Sequence, residues 1–91
     1  MKIVFDPNKD TTNQSKHGVS LAFAKHLEWD WLLAKPDSRK DYGEQRMIGY
    51  APVLDCIYCI VYIDRDDERR IVSLRKANKR EVKRYEIHFS P

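Results

Sequence analysis

The sequence is short of almost everything that would place it outside a small packed domain. No apolar run approaches the roughly 18 residues that a membrane span needs, and Met1 to Asn8 lack the long apolar core of a secretory signal. Two cysteines, Cys56 and Cys59, are too few for a disulfide-built scaffold, so stability must come from packing. Three glycines and four prolines leave little for linkers and exclude a collagen-like repeat. A length of 91 residues is too small for two independent cores. With 42% hydrophobic and 11% aromatic residues, disorder is excluded as well. The expectation is one soluble, cytoplasmic domain over residues 1–91.

Charge, by contrast, is abundant, at 34% of residues with a net of +3. It is unevenly placed. Arg65 to Tyr85 carries nine basic residues against four acidic ones, which leaves the rest of the chain net negative. Such a segment suits a polyanion partner, and a solvated helix face is the competing explanation.

The patterning changes period along the chain. Lys2 to Phe5 alternates as a short strand, and Asp6-Pro7 reads as a helix cap followed by proline in the first turn. That helix should run to about Lys16 and close on Gly18 as a left-handed cap. Ser20 can cap a second helix through Trp29, with Leu21, Phe23, Ala24 and Leu27 as its apolar stripe. Strands are then predicted over 30–35, 44–50, 55–63 and 69–75, with turns at Pro36-Asp37-Ser38, Ala51-Pro52 and Asp64 to Glu68. Short connections favour an antiparallel meander. Both alternating sets of the third of these strands are apolar, which marks a central strand covered on both sides. From Ala77 the period is helical again, with Asn78, Val82, Tyr85 and Phe89 in one sector and Lys76, Arg80, Lys83 and Arg84 opposite. The fold class is α+β.

Three constellations could carry chemistry. Cys56 and Cys59 have a zinc or redox spacing, but residues three apart on a strand point to opposite faces, so they read as packing and no metal is expected. Lys16 and His17 stand at a helix end, where they either serve as caps or offer a cation and a proton-transfer group. Glu44 and Arg46 share one strand face, as do Arg69, Ile71, Ser73 and Arg75 on another strand. Two neighbouring strands could therefore present a carboxylate and several guanidiniums on one side of a sheet. Such a set could cleave RNA, which needs a base for the 2′-hydroxyl, an acid for the leaving 5′-oxygen and fixed positive charge for the transition state. A surface pair and solvated arginines are the bland alternative. In either case Arg75, at an exposed edge, is expected to add little to stability.

In order and spacing, Phe5-Asp6-Pro7-Asn8-Lys9, Asn13, Lys16-His17-Gly18-Val19-Ser20, Glu44, Arg46, Arg70 through Ala77, and finally Arg80, Glu81 and Tyr85 resemble the BrnT toxin family over nearly the whole chain. The chain has Phe5 where the family usually has Trp, and Leu74 where it usually has Ala. The resemblance implies a RelE-like ribonuclease toxin of a bacterial type II toxin–antitoxin pair that acts on RNA to halt translation. It also implies two N-terminal helices, an antiparallel sheet and a C-terminal helix. It places catalytic roles on Lys16, His17, Glu44, Arg46 and Arg75, with Arg75 and Arg46 on the phosphate, His17 or Glu44 moving the proton and Lys16 in support. It places RNA binding on Arg65, Arg70, Lys76, Arg80 and Tyr85, of which Tyr85 also fits core packing. No cofactor is implied. The implied partners are RNA and a cognate BrnA-like antitoxin, with a heterotetramer as one stoichiometry, operator DNA reached only through the antitoxin, and no membrane. Two other readings of the same residues stay open: a module that binds nucleic acid without cleaving it, and a protein-binding module whose basic helix docks an acidic segment.

Overall fold

The structure, a computed structural model, describes residues 1–39, 41 and 43–90. Its elements are β1 (Lys2–Val4), α1 (Pro7–His17), two 3₁₀ segments (Leu21–His26 and Trp29–Trp31), β2 (Leu33–Pro36), β3 (Met47–Val53), β4 (Cys56–Arg65), β5 (Glu68–Lys76) and α2 (Lys79–Phe89). The sheet runs β1-β5-β4-β3-β2. β2 to β5 form the antiparallel meander, and β1 adds to β5 in parallel.

Helix α1 forms from weak helix formers because both ends are capped. The Asp6 side chain accepts from Asn8 N at 2.8 Å, Pro7 takes the first turn, and Gly18 at φ 72° donates its N–H to Gln14 O. Asn13 then fixes the helix to the sheet. β1 pairs with β5 only over Glu68–Arg70, so the outer edge of β5 is bare further on. The buried Asn13 amide fills that gap as a strand would, donating to Leu74 O at 2.8 Å and accepting from Leu74 N at 3.1 Å. It also donates to Val19 O at 2.8 Å, which holds the turn after α1.

The second N-terminal helix expected from Ser20 to Trp29 does not form; two 3₁₀ segments take its place. Ser20 does cap, accepting from Ala22 N. The buried residues Leu21, Ala24 and Leu27 recur every third position, which a three-residue turn stacks on one face and an α-helix would spread. The Ala24 carbonyl, moreover, is taken by Leu27 N and by the Trp29 indole N–H at 3.0 Å.

β3 starts and ends three residues later than expected, and Pro52 lies inside it rather than in the turn, which is built instead on Leu54 at φ 53°. The proline costs no ladder bond. β2 pairs with β3 only as far as Tyr50, and Pro52 turns its carbonyl away from β4 to accept from Glu28 N at 2.9 Å. Glu44 consequently falls in the loop before β3, and Arg46 immediately ahead of the strand.

In β5 the register skips Val72, because Val61 faces Ser73 and Tyr62 faces Ile71. This bulge changes which arginines share a face. Ile71 and Leu74 lie on the core side with Arg69, whereas Arg70, Ser73 and Arg75 lie on the other side with Ile63, Val61 and Cys59. The alternation expected to unite Arg69, Ile71, Ser73 and Arg75 is broken there.

The core occupies one sheet face: Tyr58, Ile60, Tyr62, Ile71, Leu74 and Ala51 pack under Leu21, Ala24 and Leu27. Leu74 is fully buried and Phe5 packs against the same cluster, so both departures from the usual family residues are packing changes on the side away from Arg75. β4 is central and buried on both faces from Tyr58 to Ile63. Cys56, paired with Val53, and Cys59, paired with Tyr50 and Arg75, point to opposite faces.

Two outcomes are expected. Mild oxidation of the folded monomer should give no Cys56–Cys59 disulfide on a non-reducing mass measurement. Asn13→Ala should leave Leu74 N–H and C=O unpaired in a buried place and lower the unfolding free energy by about 2–3 kcal/mol in urea, with the slope unchanged.

Candidate nucleic-acid interface

The sheet face opposite the core carries Arg70 and Arg75 of the predicted site residues. Its row along β5 is Arg70, Ser73 and Arg75, spanning about 13 Å, four ladder steps at roughly 3.3 Å each once Val72 bulges out of the register. Tyr50 and Ile48 stand beside the row on β3, then Leu33 and Lys35 on β2. Helix α2 closes one end of this face.

Arg75 is the most tightly held member. Its two terminal nitrogens meet Glu81 Oε1 at 2.8 Å and Oε2 at 3.0 Å in a two-pronged pair. Glu81 also accepts from Asn78 N at 2.9 Å, while the Asn78 side chain accepts from Glu81 N, a reciprocal cap on α2. The Tyr50 hydroxyl donates to Glu81 Oε2 at 3.2 Å. The Arg75 guanidinium, more than any other neighbour, holds the Glu81 carboxyl down at about 2. Burial foremost, with the Cys59 and Glu81 groups close by, pushes Tyr50 up to about 12. Burial also raises the Cys59 thiol, against the Arg75 charge that lowers it.

The remaining predicted residues fall into three places. Lys16 and His17, exposed in the last turn of α1, share a concavity with Ser73 and the bulged Val72. Glu44 pairs with Arg65 at 3.7 Å in the open, and these two line a small hollow with Arg70, Glu68 and Ile63. Arg46 is half-buried ahead of β3, and its charge helps hold Asp37 down at about 2, although the larger cause is the Arg39 hydrogen bond. Arg70 therefore belongs with Glu44 and Arg65 at one end of the row, while Lys16 and His17 stand beside Ser73. Lys76 does not join them, because it lies opposite Tyr58 on the core side at the end of β5. Arg80 is exposed on α2. Tyr85 is buried, with its hydroxyl donating to Trp31 O at 2.7 Å, so its ring packs beneath α2.

Sequence reasoning did not assign Glu81, Tyr50 or Asn13 a role in this geometry. Only Glu81 left a local signal, as the residue three places after the capping Asn78.

The family model described as "Ribonuclease toxin, BrnT, of type II toxin-antitoxin system" matches residues 5–81. The chain belongs to this BrnT family. A search of curated proteins finds no match. The BrnT match spans α1, the row on β5 and both Arg75 and Glu81, and it ends within the first turn of α2. Among the described residues no helix is long and apolar enough to cross a membrane.

The pairing corrects the expectation that Arg75 adds little to stability. Its side chain is one-third exposed, but Glu81 is 8% exposed, and Arg75→Ala should cost about 2 kcal/mol by leaving that carboxylate without its main partner. Glu81 has a folded pKa of about 2 against an ordinary 4.5. Its contribution is complete above pH 4.5 and is lost as pH falls towards 2. Unfolding free energy should drop across that window by no more than about 3 kcal/mol on this account. Glu81→Gln should flatten the drop, leaving the part due to Asp37; an unchanged acid profile in the variant would remove Glu81 from this role.

Proposed function

We propose that this chain is an endoribonuclease that cleaves RNA through attack of the substrate's own 2′-hydroxyl, and that in the cytoplasm it thereby halts translation and growth until a cognate antitoxin neutralises it. The observation that carries the reading is the bulge at Val72, which turns Arg70, Ser73 and Arg75 onto one sheet face beside the His17 end of α1. Two guanidiniums with a serine between them on one face suit separate phosphates of a single strand, and Arg75, held by Glu81 in one orientation, offers fixed charge to a phosphorane-like transition state. This charge is assigned to Arg75 and, from ahead of β3, to Arg46.

His17 is the favoured proton-transfer group. It shares its concavity with Ser73, two residues from Arg75 on the same face. Glu44 is engaged with Arg65 at the Arg70 end. In the reaction the 2′-oxygen bonds to phosphorus as its proton leaves, the 5′-oxygen departs and is protonated, and the products are a 2′,3′-cyclic phosphate and a 5′-hydroxyl. Lys16 and Arg65 add positive potential on either side of the row.

Purified protein should cleave RNA in EDTA and leave cyclic phosphate ends, while DNA or 2′-O-methyl RNA binds and stays whole. His17→Ala, at an exposed position, should fold normally and lower kcat by about 10²–10⁴. Protein that binds RNA with a steep salt dependence yet cuts none, with or without ribosomes, would instead be a binding module.

A further inference from the structure

Two adjoining cavities of about 200 and 260 Å³ lie on the same sheet face, between β2, β3 and the first turns of α2. They share Lys35, Ile48, Tyr50, Glu81 and Arg84. The smaller is walled by Leu33, Ile48 and the rings of Tyr50 and Tyr85; the larger opens onto Arg75. Among the described residues neither Lys35 nor Arg84 makes an ion pair or side-chain hydrogen bond, and both are exposed. The two carboxylates in the walls, Asp37 and Glu81, are each held by a two-pronged arginine, at 2.8 Å for Arg39 and 2.8 to 3.0 Å for Arg75. They therefore offer little repulsion to an anion. The Tyr50 hydroxyl is occupied by Glu81, which leaves its ring as the contact surface.

We infer that this double cavity is a nucleotide subsite, which takes the unstacked base next to the phosphate at Arg75 into the apolar half and that nucleotide's other phosphate onto Lys35 and Arg84. The inference rests on the ribonuclease reading and deepens it. A flat ring between aliphatic and aromatic walls with a phosphate at a cationic mouth is how single-stranded RNA is held when its bases are splayed out. The chamber is continuous with Arg75 and too small for a helix, which favours a nucleotide over an acidic protein segment.

The test is binding of a short 2′-O-methyl RNA, which cannot be cut, followed by fluorescence anisotropy across a salt series. Lys35→Ala and Arg84→Ala should each weaken binding severalfold and lower the salt slope by about 0.7. Lys25→Ala, an equal change of charge on an exposed residue of the first 3₁₀ segment, should do neither. With cleavable RNA the two cavity variants should raise KM more than they lower kcat. An abasic site moved along the RNA should find one position where affinity falls, and Ile48→Phe, which fills the chamber, should abolish that sensitivity. If wild-type protein cleaves RNA while Lys35→Ala and Arg84→Ala bind like Lys25→Ala, the subsite is wrong and the ribonuclease reading stands. If wild-type protein binds neither RNA, both fall. Unchanged RNA affinity in both cavity variants together with lost binding to the cognate antitoxin would overturn the subsite and give the cavity to that protein.

Discussion

The interaction that fixes the last helix to the sheet face opposite the core is made by the carboxylate of Glu81. It takes both terminal nitrogens of Arg75, the backbone N–H that begins α2 and the hydroxyl of Tyr50 on β3. One buried anion thus joins β5, β3 and the last helix, and Tyr85 ties the same helix to the second 3₁₀ segment through Trp31 O. The cost of burying the carboxylate is offset because four donors meet its two oxygens. The same pair limits the chemistry. A guanidinium whose fork is filled by a carboxylate keeps its orientation but gives up part of its charge, so an incoming phosphate must share Arg75 with Glu81. Preorganisation and electrophilic strength are set against each other at one residue.

The elements that local rules specify were legible in the sequence: the caps of α1 at Asp6 and Gly18, the doubly apolar β4, the meander, and the last helix with Tyr85 on its docked side. The errors share a cause. Pro52, Val72 and the Ser20–Trp29 segment are decided by neighbours distant in sequence. Pro52 is tolerated because β2 has ended beside it, and Val72 bulges in a run, Ile71 to Leu74, whose alternating sets are both apolar enough to be buried either way. Ser20–Trp29 forms 3₁₀ turns because Ala24 and Leu27 must both face the sheet. The site inherits these errors. Reading strict alternation through Val72 put Arg69 with Arg75, whereas Arg69 pairs with Asp64 and lies against the rings of Trp29 and Tyr62 on the core side. Asn13 left no local signal, since an asparagine inside a helix of polar residues looks the same whether or not a strand edge awaits it.

The two faces of the sheet are stabilised in different ways, and this bears on how the arginines should be understood. One face is sealed by Leu21, Ala24 and Leu27. On the other, Cys59, Val61 and Ile63 are also buried, and apart from Ile48 beside Val61 their cross-strand and hollow-lining neighbours there are charged or polar: Arg75 and Tyr50 beside Cys59, Ser73 beside Val61, and Arg70, Arg65 and Glu44 around Ile63. Long arginine stems can cover apolar surface while their heads stay in water. The residues that would meet a phosphate are thus also the outer layer of the fold. Alanine at Arg70 or Arg75 removes cover and charge together, so loss of activity in such a variant does not separate the two. Lysine keeps a stem and a charge and loses only the planar fork. A face in which Lys restores stability but not activity is one where the guanidinium geometry itself, rather than the apolar cover or the net charge, meets the substrate.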